Sequence, residues 1–325
     1  MTRLGYQIPN FTYPDTGPAG LFDVIAQQAR EADGSGFDTV LVMDHFYQLP
    51  MLGAPEEPML ECYSLLSALA RETSVVRLSA LVTGNTYRNP AVLAKTVTTL
   101  DIVSGGRAQL GIGAGWFELE HDAFGIEFGT FTDRFAKLEE ALQIILPMLR
   151  GERVTLDGAR YQVTDAINSP APVSGIPVMI GGSGERKTLR LVAQYADESN
   201  LTAPTADVPR KLEALDEHCG RLGRERSEIT VSVMRSVCVA PTMEEARAEL
   251  TGYFGRRGLD LDSLPDADRE AMMSFVVLGD PDTVGERLAT DLALGIDGFT
   301  LNAPANGHVP GRVALLGETA AKVLS

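Results

Sequence analysis

A parallel (β/α)8 barrel carrying insertions is the expected architecture of this chain of 325 residues. Short apolar, β-branched runs alternate with segments of helical period along the whole length, as βα units do. The runs number eight. The stretches between them carry their own helix start and stop signals, which do not depend on the strand count.

The strand-like runs lie at 4–8, 39–43, 76–82, 108–112, 177–180, 198–201, 229–238 and 298–301. After the third run, Asn89 and Pro90 form an N-cap and first-turn proline, Leu93, Val97 and Leu100 make an apolar stripe, and Gly105 with Gly106 closes the helix. Thr242 with Glu245 reads as a capping box. Asp280 and Pro281 repeat the cap-plus-proline signal, Val284, Leu288 and Leu292 form the next stripe, and Gly295 stops it before the last run. A barrel of this type needs about 250 residues. The surplus falls into insertions at 51–62, 116–132 and 152–163, the last a hairpin around Asp157 and Gly158, so residues 1–325 read as one domain. A doubly wound sheet is the rival architecture, and it requires a reversal of strand order that a sequence does not display.

Composition narrows the function classes. With 28 basic and 44 acidic side chains the net charge is −16, which argues against nucleic acid and against an anionic membrane surface. Hydrophobic residues make up 44% of the chain, enough for a full core. Cys62, Cys219 and Cys238 show no CxxC spacing and read as buried reduced thiols. The N-terminus reaches Pro9 and Asn10 before an apolar stretch can build, and no run approaches the ~20 residues of a membrane span. A soluble cytoplasmic protein is expected.

In a (β/α)8 barrel the chemistry sits just past the C-terminal ends of the strands. There the sequence places Asp44 and His45 after the second run, Thr83, Gly84 and Asn85 after the third, and Gly113, Ala114, Gly115 and Trp116 after the fourth. Gly181, Gly182, Ser183 and Gly184 follow the fifth run, and Asn302 the eighth. His45 is the best acid/base candidate, because an imidazole exchanges protons near neutral pH; a rim histidine that merely bonds a neighbouring loop fits the position equally. Glu120, His121 and Asp122 are adjacent and point apart, so no metal site is expected. The stretch from Gly111 to Trp116 has tryptophan where GxGxxG needs its third glycine. The GGSG stretch lacks P-loop spacing, yet a strand running into it and a helix starting near Glu185 would present bare N–H groups to a phosphate, with Arg186 and Lys187 adding charge. A tight turn needing positive φ accounts for the same glycines. No GxSxG elbow occurs. Paired carboxylates for glycoside hydrolysis remain open through Asp44, Glu118 and Glu120.

Four segments carry a resemblance that spans nearly the whole chain: VMDHF at 42–46, TYRNPAVLAKTVTTLDIVSGGRAQLGIGAGW at 86–116, IPVMIGGSGERKTLRLVAQYAD at 176–197 and LGDPDTVGERL at 278–288. In these the sequence resembles the bacterial luciferase-like monooxygenase superfamily, and within it the actinobacterial oxidoreductases that use the deazaflavin coenzyme F420. The resemblance implies a (β/α)8 barrel and hydride transfer between that coenzyme and a small organic molecule. Asp44 and His45 would then lie beside the ring as its catalytic pair, His45 as the catalytic histidine and Asp44 also contacting the cofactor. Ala80, Leu81 and Thr83 would fall in the stretch that backs the ring through a peptide bulge and a hydroxyl contact. Ala114 and Gly115 would make backbone contacts, and Gly181, Gly182, Ser183 and Gly184 would hold the phosphate. A homodimer is also implied. Sister groups use reduced FMN and oxygen as monooxygenases, and a barrel that keeps its cofactor site without catalysis is a third reading. Sugar-phosphate dehydrogenases of the superfamily carry a glutamate where this chain has Trp116, so sugar-phosphate oxidation is not expected.

Overall fold

The structure is a computed structural model that describes residues 3–265 and 276–325. Eight parallel strands close a ring in the order β1 (Leu4–Ile8), β2 (Thr39–Val42), β3 (Arg77–Ala80), β5 (Ala108–Gly113), β8 (Val178–Gly181), β9 (Glu198–Leu201), β10 (Thr230–Val239), β12 (Gly298–Asn302) and back to β1. The closing seam pairs Leu4 with Phe299 and Gln7 with Asn302. All eight expected runs are barrel strands. The ring also excludes the doubly wound alternative, since that sheet keeps open edges.

Three short additions decorate the ring. β4 (Thr83–Gly84) pairs with the end of β5, and β11 (Val276–Gly279) pairs with the outer half of β10. The antiparallel hairpin β6 (Val154–Asp157) and β7 (Gln162–Ala166) occupies the third expected insertion. The second insertion is partly helical, holding α4 (Glu118–Phe124) ahead of α5 (Phe131–Leu149).

Most local signals hold where they were read, although at Thr242 only the Thr242 half of the expected capping box is made. The Asn89 side chain accepts from the N–H groups of Ala91 and Val92 to start α3 (Pro90–Ser104), which ends on Gly105 in the left-handed region. Thr242 accepts from Glu245 N–H at the start of α8 (Met243–Arg256), and Asp280 accepts from Thr283 N–H at the start of the helix Pro281–Leu292. In each case a side-chain oxygen satisfies a donor the helix cannot. Cys62, Cys219 and Cys238 are buried free thiols, and burial pushes the Cys238 thiol up to about 12. Among the described residues no helix is long and apolar enough to cross a membrane.

The barrel interior is polar in its upper part. Asn302 Nδ2 donates to Gln7 Oε1 at 2.8 Å, and Asn200 Nδ2 donates to Ser232 and Thr300 hydroxyls at 2.9 Å. Each amide nitrogen thereby meets a partner that burial demands. At the opposite end, carboxylates bond the backbone N–H groups at the strand starts. At the end of α1 (Leu21–Asp33), Asp33 accepts from Ser74 N–H and Oγ and from the N–H groups of Val75 and Val76, at 2.8 to 2.9 Å, fixing the entry to β3. Burial pushes its carboxyl up, but these four bonds outweigh it and hold the pKa below the usual aspartate value. A depressed folded-state pKa contributes stability above the unfolded value and loses it as pH falls. Replacing Asp33 with Ala should therefore cost about 1 kcal/mol at pH 7, solvent screening included. In urea melts the gap to wild type should narrow below about pH 4; a gap that widened in acid would contradict this account.

Candidate active site at the barrel mouth

The residues singled out from four distant stretches come together on one arc, because β2, β3, β5 and β8 are consecutive in the ring. His45 leaves β2, residues 81–83 leave β3, Ala114 and Gly115 leave β5, and the glycine-rich turn leaves β8. Asn302 stands on the opposite arc, beside β1.

His45 is held by Glu120, a residue whose neighbours in sequence disguised it as part of a solvated triplet. Glu120 is fully buried, and its Oε2 lies 2.9 Å from His45 Nδ1. Its Oε1 accepts from Phe46 N–H at 2.6 Å and Tyr47 N–H at 2.8 Å, and the Tyr87 hydroxyl donates to Oε2. Burial pushes the Glu120 carboxyl up, while the bonds from His45, Tyr87 and Tyr47 outweigh burial and leave it below the usual range. An ionised carboxylate fixes the Nδ1–H tautomer, so Nε2, which has no partner among the described residues, is left for chemistry. His121 faces elsewhere. Its Nδ1 lies 2.8 Å from Phe117 O and its Nε2 2.6 Å from Thr86 Oγ1, a bonding pattern of pure support. Glu120 and His121 thus bond different partners, and among the described residues no cluster could hold a metal ion.

Asp44 takes a different part from its neighbour. It is buried and receives Arg88 in a fork, Nη1 to Oδ2 at 2.5 Å and Nη2 to Oδ1 at 3.0 Å, while Arg88 Nη2 also reaches Glu61 at 2.6 Å. Burial pushes the Asp44 carboxyl above its usual value, and Arg88 offsets only part of this. The fork ties the exit of β2 to the start of α3 and to the N-cap of α2 (Cys62–Glu72).

At the end of β3 the Leu81–Val82 peptide is cis, in the stretch where the resemblance implied a bulge. Ala80 is buried, and Leu81 N–H still donates to Val42 O at 2.8 Å, so the segment stays tied to β2. Thr83 is buried with its Oγ1 2.6 Å from the Tyr63 hydroxyl. Val82 fills the space that side chains at Gly113 and Gly181 would need: a Cβ at either would stand 2.9 or 2.8 Å from its methyl groups. The Gly115 carbonyl accepts from Arg134 Nε at 3.1 Å.

The turn after β8 is an anion cradle by its donors. Gly182 has φ of 120°, a conformation side chains resist, and its N–H goes to Asn200 O at 2.9 Å. The N–H groups of Ser183, Gly184, Glu185, Arg186 and Lys187 have no acceptor among the described residues. Ser183 Oγ donates to Thr202 O and accepts from Thr202 N–H, both at 2.9 Å, locking the turn to β9. The helix α6 starts at Thr188 (Thr188–Tyr195), three residues later than expected, because residues 185–187 form a turn closed by Leu189 N–H to Gly184 O. Lys187 does not extend freely; its Nζ lies over Phe131 and Phe135 at 4.9 and 5.4 Å. These rings and residues 184–188 line a cavity of about 840 Å3. Unpaired N–H groups around a turn opened by Gly181, Gly182 and Gly184 fit a phosphate.

The chain belongs to the luciferase-like monooxygenase family, whose model matches residues 2–298. It is 30% identical over 336 residues to the F420-dependent glucose-6-phosphate dehydrogenase of Nakamurella multipartita, covering 97% of this chain and 94% of that one. Identity to the enzyme of the same name from Microbacterium testaceum is 29%, over 94% and 92% of the two chains. A solved F420-dependent secondary alcohol dehydrogenase, in complex with an F420–acetone adduct, has the same fold at a TM-score of 0.80 and 20% identity, over 100% of this chain and 99% of that one.

Replacing Glu120 with Gln keeps an acceptor for the two loop N–H groups and removes the charge that orients His45. Turnover should fall about 10- to 100-fold, a misoriented acid/base group costing less than the ~10² to 10⁴-fold of its outright loss, with unchanged circular dichroism and cofactor affinity. Turnover within twofold of wild type would show that Glu120 only supports the loop.

Proposed function

We propose that this chain is a coenzyme F420-dependent oxidoreductase that moves a hydride between the deazaflavin and a small organic molecule other than a sugar phosphate. The observation that carries the reading is the convergence of an oriented histidine and an unfilled N–H cradle on one arc of the mouth of a luciferase-like barrel. The coenzyme supplies the redox chemistry when bound, as a two-electron hydride carrier.

The residues of the chain bind, orient and shuttle a proton. N–H groups of residues 183–187 hold the phosphate, and Arg186, which is exposed, adds charge toward the acidic tail. The backbone of Ala80, Leu81, Ala114 and Gly115, with the Thr83 hydroxyl, seats the ring. His45 Nε2 gives or takes the proton that accompanies the hydride, so the substrate gains or loses one hydride and one proton in all. Asp44, already committed to Arg88, fixes the loop that carries His45. We further propose that the enzyme is cytoplasmic, a homodimer, and one domain over residues 1–325.

Reduced FMN with oxygen is the second reading, favoured by the monooxygenase description of the family model. Fluorescence titration with coenzyme F420 and separately with FMN, followed by oxygen uptake during turnover, separates the two: the proposal requires tight binding of the deazaflavin and no oxygen consumption. His45→Ala should lower turnover about 10² to 10⁴-fold while coenzyme affinity stays within threefold; wild-type turnover would remove His45 from the chemistry. Arg186→Glu should weaken coenzyme binding most at low salt, since added salt screens an exposed charge. Equal affinity at all ionic strengths would place the acidic tail elsewhere.

A further inference from the structure

We propose that Trp116 forms one wall of the substrate subsite and selects a neutral, planar conjugated molecule, an inference that rests on the oxidoreductase reading above. Trp116 is the single tryptophan of the chain. It directly follows the strand end that carries Ala114 and Gly115, and 55% of it is exposed. One side of the indole stacks on Phe117 at 5.1 Å and 22°, and Phe117 is buried. The indole also meets the His45 ring edge-on at 5.7 Å and 73°. A large ring is thus clamped from behind, set beside the proton-transfer group and left open to solvent over more than half its surface. Its N–H has no partner among the described residues.

The charges around His45 strengthen the assignment because they are already spent on the protein. Glu120 receives His45, Phe46 N–H, Tyr47 N–H and the Tyr87 hydroxyl. Arg88 is shared by Asp44 and Glu61, and Arg134 is bound to the carbonyls of Gly115 and Gly129 with its guanidinium 3.8 Å from the Phe128 ring centroid. Glu118, on the first turn of α4, is exposed to solvent. No uncommitted cation of this group stands ready for a phosphate dianion, and a sugar's hydroxyls would trade water for aromatic carbon at a cost in free energy. A flat conjugated molecule loses little by leaving water, and an aromatic pair adds roughly threefold to tenfold in affinity beyond the buried area.

The test uses three probes: 4-phenylbut-3-en-2-one, pent-3-en-2-one, which lacks the ring, and glucose 6-phosphate. Because Trp116 is alone, its fluorescence reports binding at this wall directly. The aromatic enone is expected to change that emission saturably, after inner-filter correction, and to bind at least fivefold more tightly than pent-3-en-2-one by calorimetry, with no saturable response to glucose 6-phosphate. Trp116→Phe should keep the preference for the aromatic enone within threefold of wild type, and Trp116→Ala should reduce the ratio of the two affinities to below two. Equal affinity for the two enones in wild type, an undiminished preference in Trp116→Ala, or tighter binding of glucose 6-phosphate than of the aromatic enone would each overturn the assignment. Coenzyme affinity is read independently from the coenzyme's own fluorescence, so failure to bind it refutes the oxidoreductase reading while the enone comparison still decides the role of Trp116.

Discussion

A buried carboxylate must be surrounded by donors, and Glu120 meets that demand by drawing three loops together. Its partners come from the loop after β2, through His45, Phe46 and Tyr47, and from the loop after β3, through Tyr87, while Glu120 itself rides on α4 after β5. Solvation lost on burial is replaced by fixed hydrogen bonds rather than by water. The insertion that carries Glu120 is therefore a structural clamp on the β2 loop, and the orientation of the imidazole follows from the clamp. The aromatic wall follows too, because Trp116 and Phe117 stand four and three residues before Glu120 and pack against the ring it holds.

Electrostatics at the mouth are arranged by local dipoles more than by net charge. In a chain with a charge of −16, the turn after β8 offers N–H groups that have no acceptor among the described residues. The one carboxylate in that turn, Glu185, is drawn away by Arg210 and by Lys211, whose Nζ lies 2.6 Å from it. Neutralising this group leaves the turn positive by its dipoles. Asp44 shows the same economy of charge on the other side of the arc, where a raised carboxyl is matched by the Arg88 fork.

The barrel was legible because strand and helix signals are local. Seven of the eight runs are mainly apolar, the exception being Glu198–Leu201, and caps such as Asn89, Thr242 and Asp280 act within three residues of their own position. The start of α6 was misplaced by three residues for the same kind of reason reversed: Glu185, Arg186 and Lys187 have good helix propensity, but the bond from Leu189 N–H to the Gly184 carbonyl makes them a turn. His45 and the GGSG turn were found from their places after strands, which a parallel barrel converts into places at the mouth.

The order of residues was enough to set which strand ends carry polar groups, since alternation and capping are written in neighbouring side chains. It could not reveal that Glu120 serves His45, seventy-five positions earlier, nor that Asp44 is occupied by Arg88 while Nε2 of His45 has no partner among the described residues. Those partnerships depend on the order of strand pairing, which makes β2, β3, β5 and β8 neighbours and brings an exposed-looking Glu-His-Asp triplet under the mouth, where burial of one member decides its role.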